Sequence, residues 1–418
     1  MKVLEINSVT YGSTGTIVKD LSFELKKRGH KVLFAYGRGK KPKSIKSYKI
    51  GTKFSIFMHV ILSRIFDLSG FGSKLATKKL LKQIDKFKPD IIHLHNLHGY
   101  YINVQILFDY LKKKNVPVIW MLHDCWAFTG HCSHYTYNNC YKWNSCCKYC
   151  KFINNYPRSF LIDNSKKNFL KKKEIFTSLD ENQMTIVVPS EWLKSQVYFS
   201  FLTKYPIIVF KSGVDYNIFK PNTTTLVDCQ KKIILGVSMV WNKAKGLNDF
   251  IELSKKVDNQ KYQIVMIGVT KKQKKKLPNN IIAFEKINSQ KELAEWYSKS
   301  YVYFNGSKEE TQGLTTVEAI MCGTPAIVYN KTAIPETVNN KVGCIINSLD
   351  EFIDTLNVLP NISNYDLKEY KREFDKTICV KKYIDYICDN YENRNFREDC
   401  NNTFYEYTKN DFNNNSDV

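Results

Sequence analysis

The sequence predicts an α/β protein of two doubly wound domains, each a parallel sheet covered by helices on both faces, with a ligand cleft between them. Three observations carry this. The chain has 418 residues, enough for two or three domains at about 150 residues each. Continuous apolar, β-branched runs alternate with stretches of helical periodicity, the pattern of strands buried on both faces. The alternation pauses near residues 215–230, at a polar stretch that includes Lys220-Pro221-Asn222-Thr223-Thr224-Thr225, and then starts again.

Taken in order, Lys2–Val9 is the first strand. Its apolar run carries a charge at once and has no long apolar core, so it does not read as a signal peptide. A turn, Tyr11-Gly12-Ser13-Thr14-Gly15-Thr16, leads into a helix over Thr14–Lys27, and Lys31–Tyr36 is the next strand. Phe54–Phe66 has Ile56, Phe57, Val60, Ile61 and Ile65 at helical spacing. It is too short to span a bilayer, which leaves a buried helix or a helix lying on a membrane surface. Further buried strands are expected at Ile91–Leu94, Val116–Leu122 and Thr185–Val188. The second series runs through strand Ile233–Val237, helix Leu247–Val257, and strands Gln263–Ile267, Ile281–Phe284, Tyr301–Phe304 and Ala326–Tyr329. The expected units are 1–215 with a cysteine-rich insertion at 125–155, then 216–365, a helix over 366–390 returning to the first domain, and a disordered Asn-rich tail over 391–418.

Composition narrows the partners. Apolar residues make up 43% and charged residues 25%, which excludes a wholly disordered or collagen-like chain. Lys and Arg outnumber Asp and Glu by 63 to 40, an excess that suits an anionic partner such as a nucleic acid, an acidic lipid surface or a phosphorylated small molecule. The alternative is a plain Lys- and Asn-rich bias. Twelve cysteines without an export signal imply a reducing cytoplasm.

The segment Lys308-Glu309-Glu310-Thr311-Gln312-Gly313-Leu314-Thr315-Thr316-Val317-Glu318-Ala319, continuing to Cys322-Gly323-Thr324-Pro325, carries the most chemistry. It follows a strand and should open a helix around Leu314–Thr316 that ends before Gly323. Glycine at the helix entrance allows close approach of the backbone, and the free N–H groups of the first turn suit a diphosphate. Glu310 then lies in the loop and Glu318 one turn into the helix, so that one carboxylate meets a sugar while the other accepts from ribose hydroxyls. Chance spacing of a solvated and a helix-face glutamate is the bland alternative.

This stretch resembles the signature of the family 4 retaining glycosyltransferases, which have the GT-B fold of two Rossmann-like domains facing a central cleft. Lys211-Ser212-Gly213-Val214-Asp215 with Phe219 and Pro221 resembles the family's linker motif, with Ser for Asn, and Pro189-Ser190-Glu191-Trp192-Leu193 its Pro-Ser-x-Trp-Leu element. Asp90-Ile91-Ile92-His93-Leu94-His95-Asn96-Leu97-His98-Gly99 and Leu122-His123-Asp124-Cys125-Trp126 are similar to a branch that builds bacterial surface polysaccharides. The motifs span roughly residues 1 to 340.

The resemblance implies roles. The donor diphosphate and sugar would meet Gly15 and Thr16 in the first turn, together with Gly313, Leu314, Thr315 and Glu318. His123 and Glu310 would contact the donor sugar. Lys245, before Gly246 at a helix start, would neutralise the diphosphate as a flexible point charge. The family's Arg, six residues earlier, falls on Met239 here, and Lys243 is the candidate to supply the missing charge. His98, Gly99 and Tyr100 are expected on the acceptor side of the cleft wall. His93, His95 and His98 have a spacing that suits a metal, but are expected where strand ends face the cleft. Retaining transfer in the family needs no catalytic metal, because the leaving phosphate takes the acceptor's proton. In agreement, no two aspartates here are separated by a single residue, so an Asp-x-Asp metal site is absent from the sequence.

Cys132, Cys140, Cys147 and Cys150 form a separate cluster whose last pair is Cys-x-x-Cys, with Cys146 beside it. One turn can present two such thiolates to a tetrahedral ion, and the resembled branch carries the same arrangement; a structural Zn²⁺ or plain reduced cysteines are the two readings. The functional expectation is an enzyme moving a sugar from a UDP- or GDP-sugar to a lipid-linked or saccharide acceptor in capsule, exopolysaccharide or O-antigen synthesis. It would be cytoplasmic, with Lys171-Lys172-Lys173 and Lys274-Lys275-Lys276 as solvated loops or as contacts to the acidic inner face of the plasma membrane. A zinc-containing nucleic-acid-binding protein is the competing expectation. It accounts for charge and cysteines but not for Glu310 and Glu318, and no recognition-helix or aromatic RNA-binding motif accompanies the basic runs.

Overall fold

The computed structural model describes residues 1–222 and 231–392. The end of the expected separating stretch, residues 223–230, and the expected tail from residue 393 lie outside the described residues.

The first half builds β1 (Lys2–Val9), α1 (Gly12–Lys27), β2 (Lys31–Arg38), β3 (Ser47–Lys49), α2 (Lys53–Phe66), α3 (Lys74–Phe87), β4 (Ile91–Leu94), α4 (Val104–Lys114), β5 (Val118–Met121), α5 (Ser165–Phe176), β6 (Met184–Val188), α6 (Glu191–Tyr198) and β7 (Ile207–Val209). These strands form one parallel sheet in the order β3-β2-β1-β4-β5-β6-β7. The second half builds β8 (Lys232–Val237), α7 (Leu247–Lys256), β9 (Tyr262–Ile267), α8 (Lys271–Lys274), β10 (Ile281–Phe284), α9 (Gln290–Lys299), β11 (Val302–Asn305), α10 (Leu314–Met321), β12 (Ala326–Tyr329), β13 (Gly343–Ile346), α11 (Glu351–Thr355), α12 (Asn364–Phe374) and α13 (Lys376–Glu392). Its parallel sheet has the order β10-β9-β8-β11-β12-β13. Each chain order reverses once, at β1/β4 and at β8/β11, and the loops leaving those strands open into the crevice where such sheets bind ligands.

The strands are legible because they are buried on both faces. β4 (Ile-Ile-His-Leu) and β5 (Val-Ile-Trp-Met) have no exposed residue, and apolar clusters pack on either side of each sheet. The short edge strands β3, β7 and β13 carry patterns too weak to predict them from sequence. From residue 364 the chain forms two helices rather than one, because Asp375 is extended between them. α13 lies on α1, with Arg28 bonded to Asp385.

Two expectations need correction. The turn Tyr11–Thr16 is already helical from Gly12, so Gly15 and Thr16 sit in the first turn of α1. A Cβ on Gly15 would come within 2.5 Å of the Thr10 carbonyl carbon, so the helix can start this close to β1 only with glycine there. The Phe54–Phe66 segment is a helix but not a buried one. α2 buries His59 and Ser63, while Phe54 and Phe57 are 71% and 59% exposed. The polar face is turned inward because His59 Nε2 accepts from Gly70 N and Gly72 N, at 3.2 and 3.1 Å, and Nδ1 meets Ser73 Oγ at 2.8 Å. Among the described residues, no helix is long and apolar enough to cross a membrane.

Candidate active site

On the second lobe, β8 ends at Val237 and the chain passes Trp241 before the turn that carries Lys245. Gly246 has a φ of 80°, and a Cβ there would lie 2.5 Å from the Gly306 carbonyl oxygen, so this turn and the loop after β11 can touch only through glycine. Lys245 Nζ donates to Glu310 Oε1 at 2.6 Å and to the Glu309 carbonyl at 2.7 Å. Both partners are about a quarter exposed, so the pair forms at the cleft wall where a ligand can exchange for either member.

α10 begins beside them. Gly313 precedes it with no side-chain cap, leaving the first-turn N–H groups without the side-chain acceptor that most helices have. Tyr303 donates to Thr315 Oγ1 at 2.8 Å, which anchors this helix mouth to β11. Glu318 is one turn further on. Desolvation pushes its carboxyl up to about 7, against the opposing effect of Tyr297, whose hydroxyl donates to Glu318 Oε2 at 3.0 Å. Ser238, Trp241, Lys245, Asn305, Glu310 and Thr315 line one recess together.

The first lobe supplies the opposite wall. His123 follows β5, and its carbonyl accepts from Thr311 Oγ1 at 3.0 Å, which brings it against the Glu310 loop. The structure thus gathers Lys245, Glu310 and His123, with Gly313, Leu314, Thr315 and Glu318 adjacent. His98 Nε2 lies 2.7 Å from Asp124 Oδ2, and its Nδ1 lies 3.1 Å from the Tyr156 hydroxyl. Gly99 and Tyr100 follow in a left-handed turn, with φ of 106° and 70°. Lys243 is not brought in: it is exposed and absent from the recess, and Met239 is 86% exposed. His93 and His95 do not face the cleft. They are fully enclosed, because Glu5 on the neighbouring strand draws them inward: His95 Nε2 lies 2.9 Å and His93 Nδ1 3.0 Å from Glu5 Oε2.

Several contributors carry no motif in the sequence. Glu309, beside the motif glutamate, accepts from Thr136 Oγ1 and Tyr137 N at 3.0 and 2.6 Å, tying the Glu310 loop to the cysteine-rich insertion. Glu336 accepts from Glu191 N and Trp192 N at 2.9 and 2.7 Å, so one lobe caps α6 of the other. Arg38 lies beside Tyr100 with its Nε buried and lacking a hydrogen-bond partner among the described residues. A polar group buried in this way is a signal only the structure gives.

Cys132, Cys140, Cys147 and Cys150 line a single cavity with His131. His131 is committed elsewhere, to Asp67 Oδ1 at 2.6 Å and the Asn155 carbonyl at 3.2 Å. Burial raises the Cys132, Cys147 and Cys150 thiols, the last two to about 11, so these three are protonated unless a cation is present. Four soft donors suit zinc chemically. Their sulfurs are not drawn together, however: among the described residues, the group of three possible ligand atoms within 4.8 Å of one another is Glu5, His93 and His95. Lys172 is no surface charge. It is fully buried, with Nζ donating to the Trp126 and Thr129 carbonyls at 2.8 and 3.0 Å, and burial lowers its ammonium to about 7.

The family model described as Glycosyltransferase Family 4 matches residues 14–158, and that described as Glycosyl transferases group 1 matches residues 226–371. The putative colanic acid biosynthesis glycosyl transferase WcaC of Escherichia coli K12 is 27% identical over 205 residues, 46% of this chain and 49% of that one. The chain therefore spans about half of that relative's length. The alpha-monoglucosyldiacylglycerol synthase of Acholeplasma laidlawii is 24% identical over 358 residues, 78% of this chain and 83% of that one. Among solved structures, Anabaena Alr3699/HepE in complex with UDP and glucose superposes with a TM-score of 0.63 at 13% identity, over 93% of this chain and 100% of that one.

Proposed function

The chain belongs to the family 4 glycosyltransferases with the GT-B fold, and from that premise we propose that it moves a sugar from a UDP- or GDP-sugar, with retention, to a lipid-linked saccharide during cell-surface polysaccharide assembly. The observation that carries this reading is the placement of Lys245 against Glu310 beside the open mouth of α10, with His123 across the cleft. A nucleotide diphosphate entering here exchanges the Lys245–Glu310 pair for its own charge. The ammonium and the first-turn N–H groups then stabilise the phosphate as it leaves. Glu310, released from Lys245, and His123 hold the sugar, and Glu318 accepts from the ribose. With the acceptor hydroxyl on the same face, the departing phosphate oxygen takes its proton, so the protein's work is positioning and charge stabilisation rather than nucleophilic attack. No metal is assigned to this step. The named products of the relatives, colanic acid and a glucosylated diacylglycerol, and the UDP and glucose in the HepE complex support the substrate classes.

The acceptor wall is His98, Gly99 and Tyr100, extended by Arg38, whose guanidinium suits the phosphate of a lipid carrier. Directly behind Tyr100, whose ring meets that of His59, α2 turns its apolar face outward. Phe160 N bonds the Arg64 carbonyl, which sets Leu161, 75% exposed, next to the end of α2. Apolar side chains flanked by Lys53, Arg64 and Lys74 support a peripheral seat on an anionic bilayer at the cytoplasmic face.

For the insertion, the shared cavity of Cys132, Cys140, Cys147 and Cys150 supports a structural Zn²⁺ that would have to draw the four sulfurs together, and that would hold a loop reaching the Glu310 segment through Glu309. Elemental analysis of fresh protein should show one zinc; its absence removes the assignment without touching the transfer reading. The function itself is tested by screening UDP- and GDP-sugars for thermal stabilisation, then following label from the best donor into membrane lipid extract. No stabilisation by any of them and no labelled lipid would refute it.

A further inference from the structure

Beneath His123 lies a chain of polar groups that the transfer chemistry above leaves unused. Glu5 is on β1, His93 and His95 on and just after β4, and His123 just after β5, so three neighbouring central strands deliver them to one place. Glu5, His93 and His95 are all buried. His95 Nε2 lies 2.9 Å from Glu5 Oε2, and His95 Nδ1 lies 3.1 Å from His123 Nε2. At the far end, the Tyr383 hydroxyl of α13 lies 2.9 Å from His93 Nε2.

The protons can be placed by elimination. Although burial opposes it, contact with His93 and His95 holds the Glu5 carboxyl down at about 2, so it is ionised and can only accept. His95 must therefore carry its proton on Nε2. Burial lowers His95 to about 4, which leaves that ring neutral and its Nδ1 bare. A bare Nδ1 requires an N–H on the His123 nitrogen facing it, which is Nε2. Burial, aided by the other imidazoles and opposed by Asp124, also keeps His123 neutral. One nitrogen remains, His123 Nδ1, which takes no hydrogen bond among the described residues.

We propose that Glu5 and His95 are positioning residues for the transfer reaction: they fix His123 as the Nε2–H tautomer, so that its Nδ1 accepts a hydrogen bond from a hydroxyl of the donor sugar. The sugar contact rests on the reading given under Proposed function; the tautomer does not. A buried carboxylate with one of its oxygens left unsatisfied is costly in a core. An apolar pair would fill the space with less penalty. The arrangement makes physical sense as a way of specifying which imidazole nitrogen is bare, the role a buried carboxylate plays behind many working histidines.

The test is nitrogen NMR on the full chain labelled at histidine, with His123 assigned by the signals missing in His123→Ala. At neutral pH the His123 pattern should be that of a protonated Nε2 and a bare Nδ1, with Nδ1 moving on addition of the donor sugar nucleotide. Glu5→Gln should mix the tautomers and lower kcat roughly ten- to a hundredfold, while the Kd of the bare nucleotide stays at the wild-type value. A proton on Nδ1, a charged ring at neutral pH, or unchanged tautomer and kcat in Glu5→Gln would overturn the proposal. So would a stoichiometric metal ion bound by Glu5, His93 and His95. If Glu5→Gln does not fold, the wild-type spectrum alone decides. Full turnover by His123→Ala would remove the donor-sugar reading, whatever the tautomer.

Discussion

On the function proposed above, the two walls of the cleft hold a polar ligand by opposite means. The wall from the second lobe keeps its charges at the water boundary: Lys245 and Glu310 pair at 2.6 Å while each stays about a quarter exposed, and α10 adds uncapped backbone N–H groups. At His123, the wall from the first lobe keeps the charge of Glu5 fully buried and presents a neutral imidazole at the end of a hydrogen-bonded chain. Exposed charge suits a diphosphate, which brings two negative charges and must leave again. A neutral, orientation-specific acceptor suits a sugar hydroxyl. On that reading, affinity and charge stabilisation come from the second-lobe wall and orientation of the sugar from the first.

The largest effect that would break this division lies at Lys245. Lys245→Ala should lower kcat about a hundredfold or more, the scale of losing one preorganised group that stabilises developing charge. The melting temperature should hardly move, since a partly exposed ion pair contributes at most about 1 kcal/mol. Steady-state kinetics and a thermal melt on the same sample decide it, and full activity would take Lys245 out of the site.

Next is Glu318, where affinity and stability should move in opposite directions. Glu318→Ala should weaken nucleotide binding by roughly 1.5–3 kcal/mol, the value of hydrogen bonds to a charged acceptor; unchanged calorimetric affinity would refute the role. The pH dependence sharpens the point. Desolvation raises the folded carboxyl from 4.5 to about 7. The stability it lends the fold is therefore complete below about pH 4.5 and is lost as pH rises through about 7. Nucleotide affinity should instead rise with pH through that range, as the better acceptor forms. Glu318→Gln should flatten the affinity profile and raise the melting temperature above pH 7. A wild-type affinity that is flat with pH would separate Glu318 from the ribose.

The same division explains what could be read without coordinates. Glu310, Glu318 and Lys245 could be singled out because charge next to glycine at a strand-to-helix junction is a local pattern, while the role expected of Lys245 came from resemblance to a family signature. Glu5 and His93 are not, since each sits singly within an apolar run and their partnership exists only through the β1–β4 register, which sets Glu5 opposite His93. Two polar residues interrupting two neighbouring strands were the available signal. α2 fails differently: spacing reveals that Phe57 and Ile61 share a face, but His59 and Ser63 decide which face turns inward, through bonds to Gly70 and Gly72 that no periodicity contains. For Lys172, a position within three consecutive lysines suggests a solvated run, and only the carbonyls of Trp126 and Thr129 show that its ammonium holds a loop.

The smallest predicted effect falls where the two walls are joined. Glu309 is tied to Lys245 of the second lobe by its carbonyl, which accepts from Nζ, and to the cysteine-rich insertion by its carboxylate, which accepts from Thr136 and Tyr137. Glu309→Ala keeps the first contact, made by backbone, and deletes the second. Two hydrogen bonds to a charged group are lost, yet Thr136 and Tyr137 lie near the cleft and can turn to water, so the net cost should be about 1 kcal/mol, roughly fivefold. It should appear as a higher KM for the donor with kcat nearly kept, because the variant loosens the closed arrangement without altering the groups that meet the leaving phosphate. Faster proteolysis within residues 125–155 should accompany it. A kcat as low as that of Lys245→Ala would instead mean that the insertion sets the catalytic geometry itself, and the separation of affinity on one wall from orientation on the other would have to be abandoned.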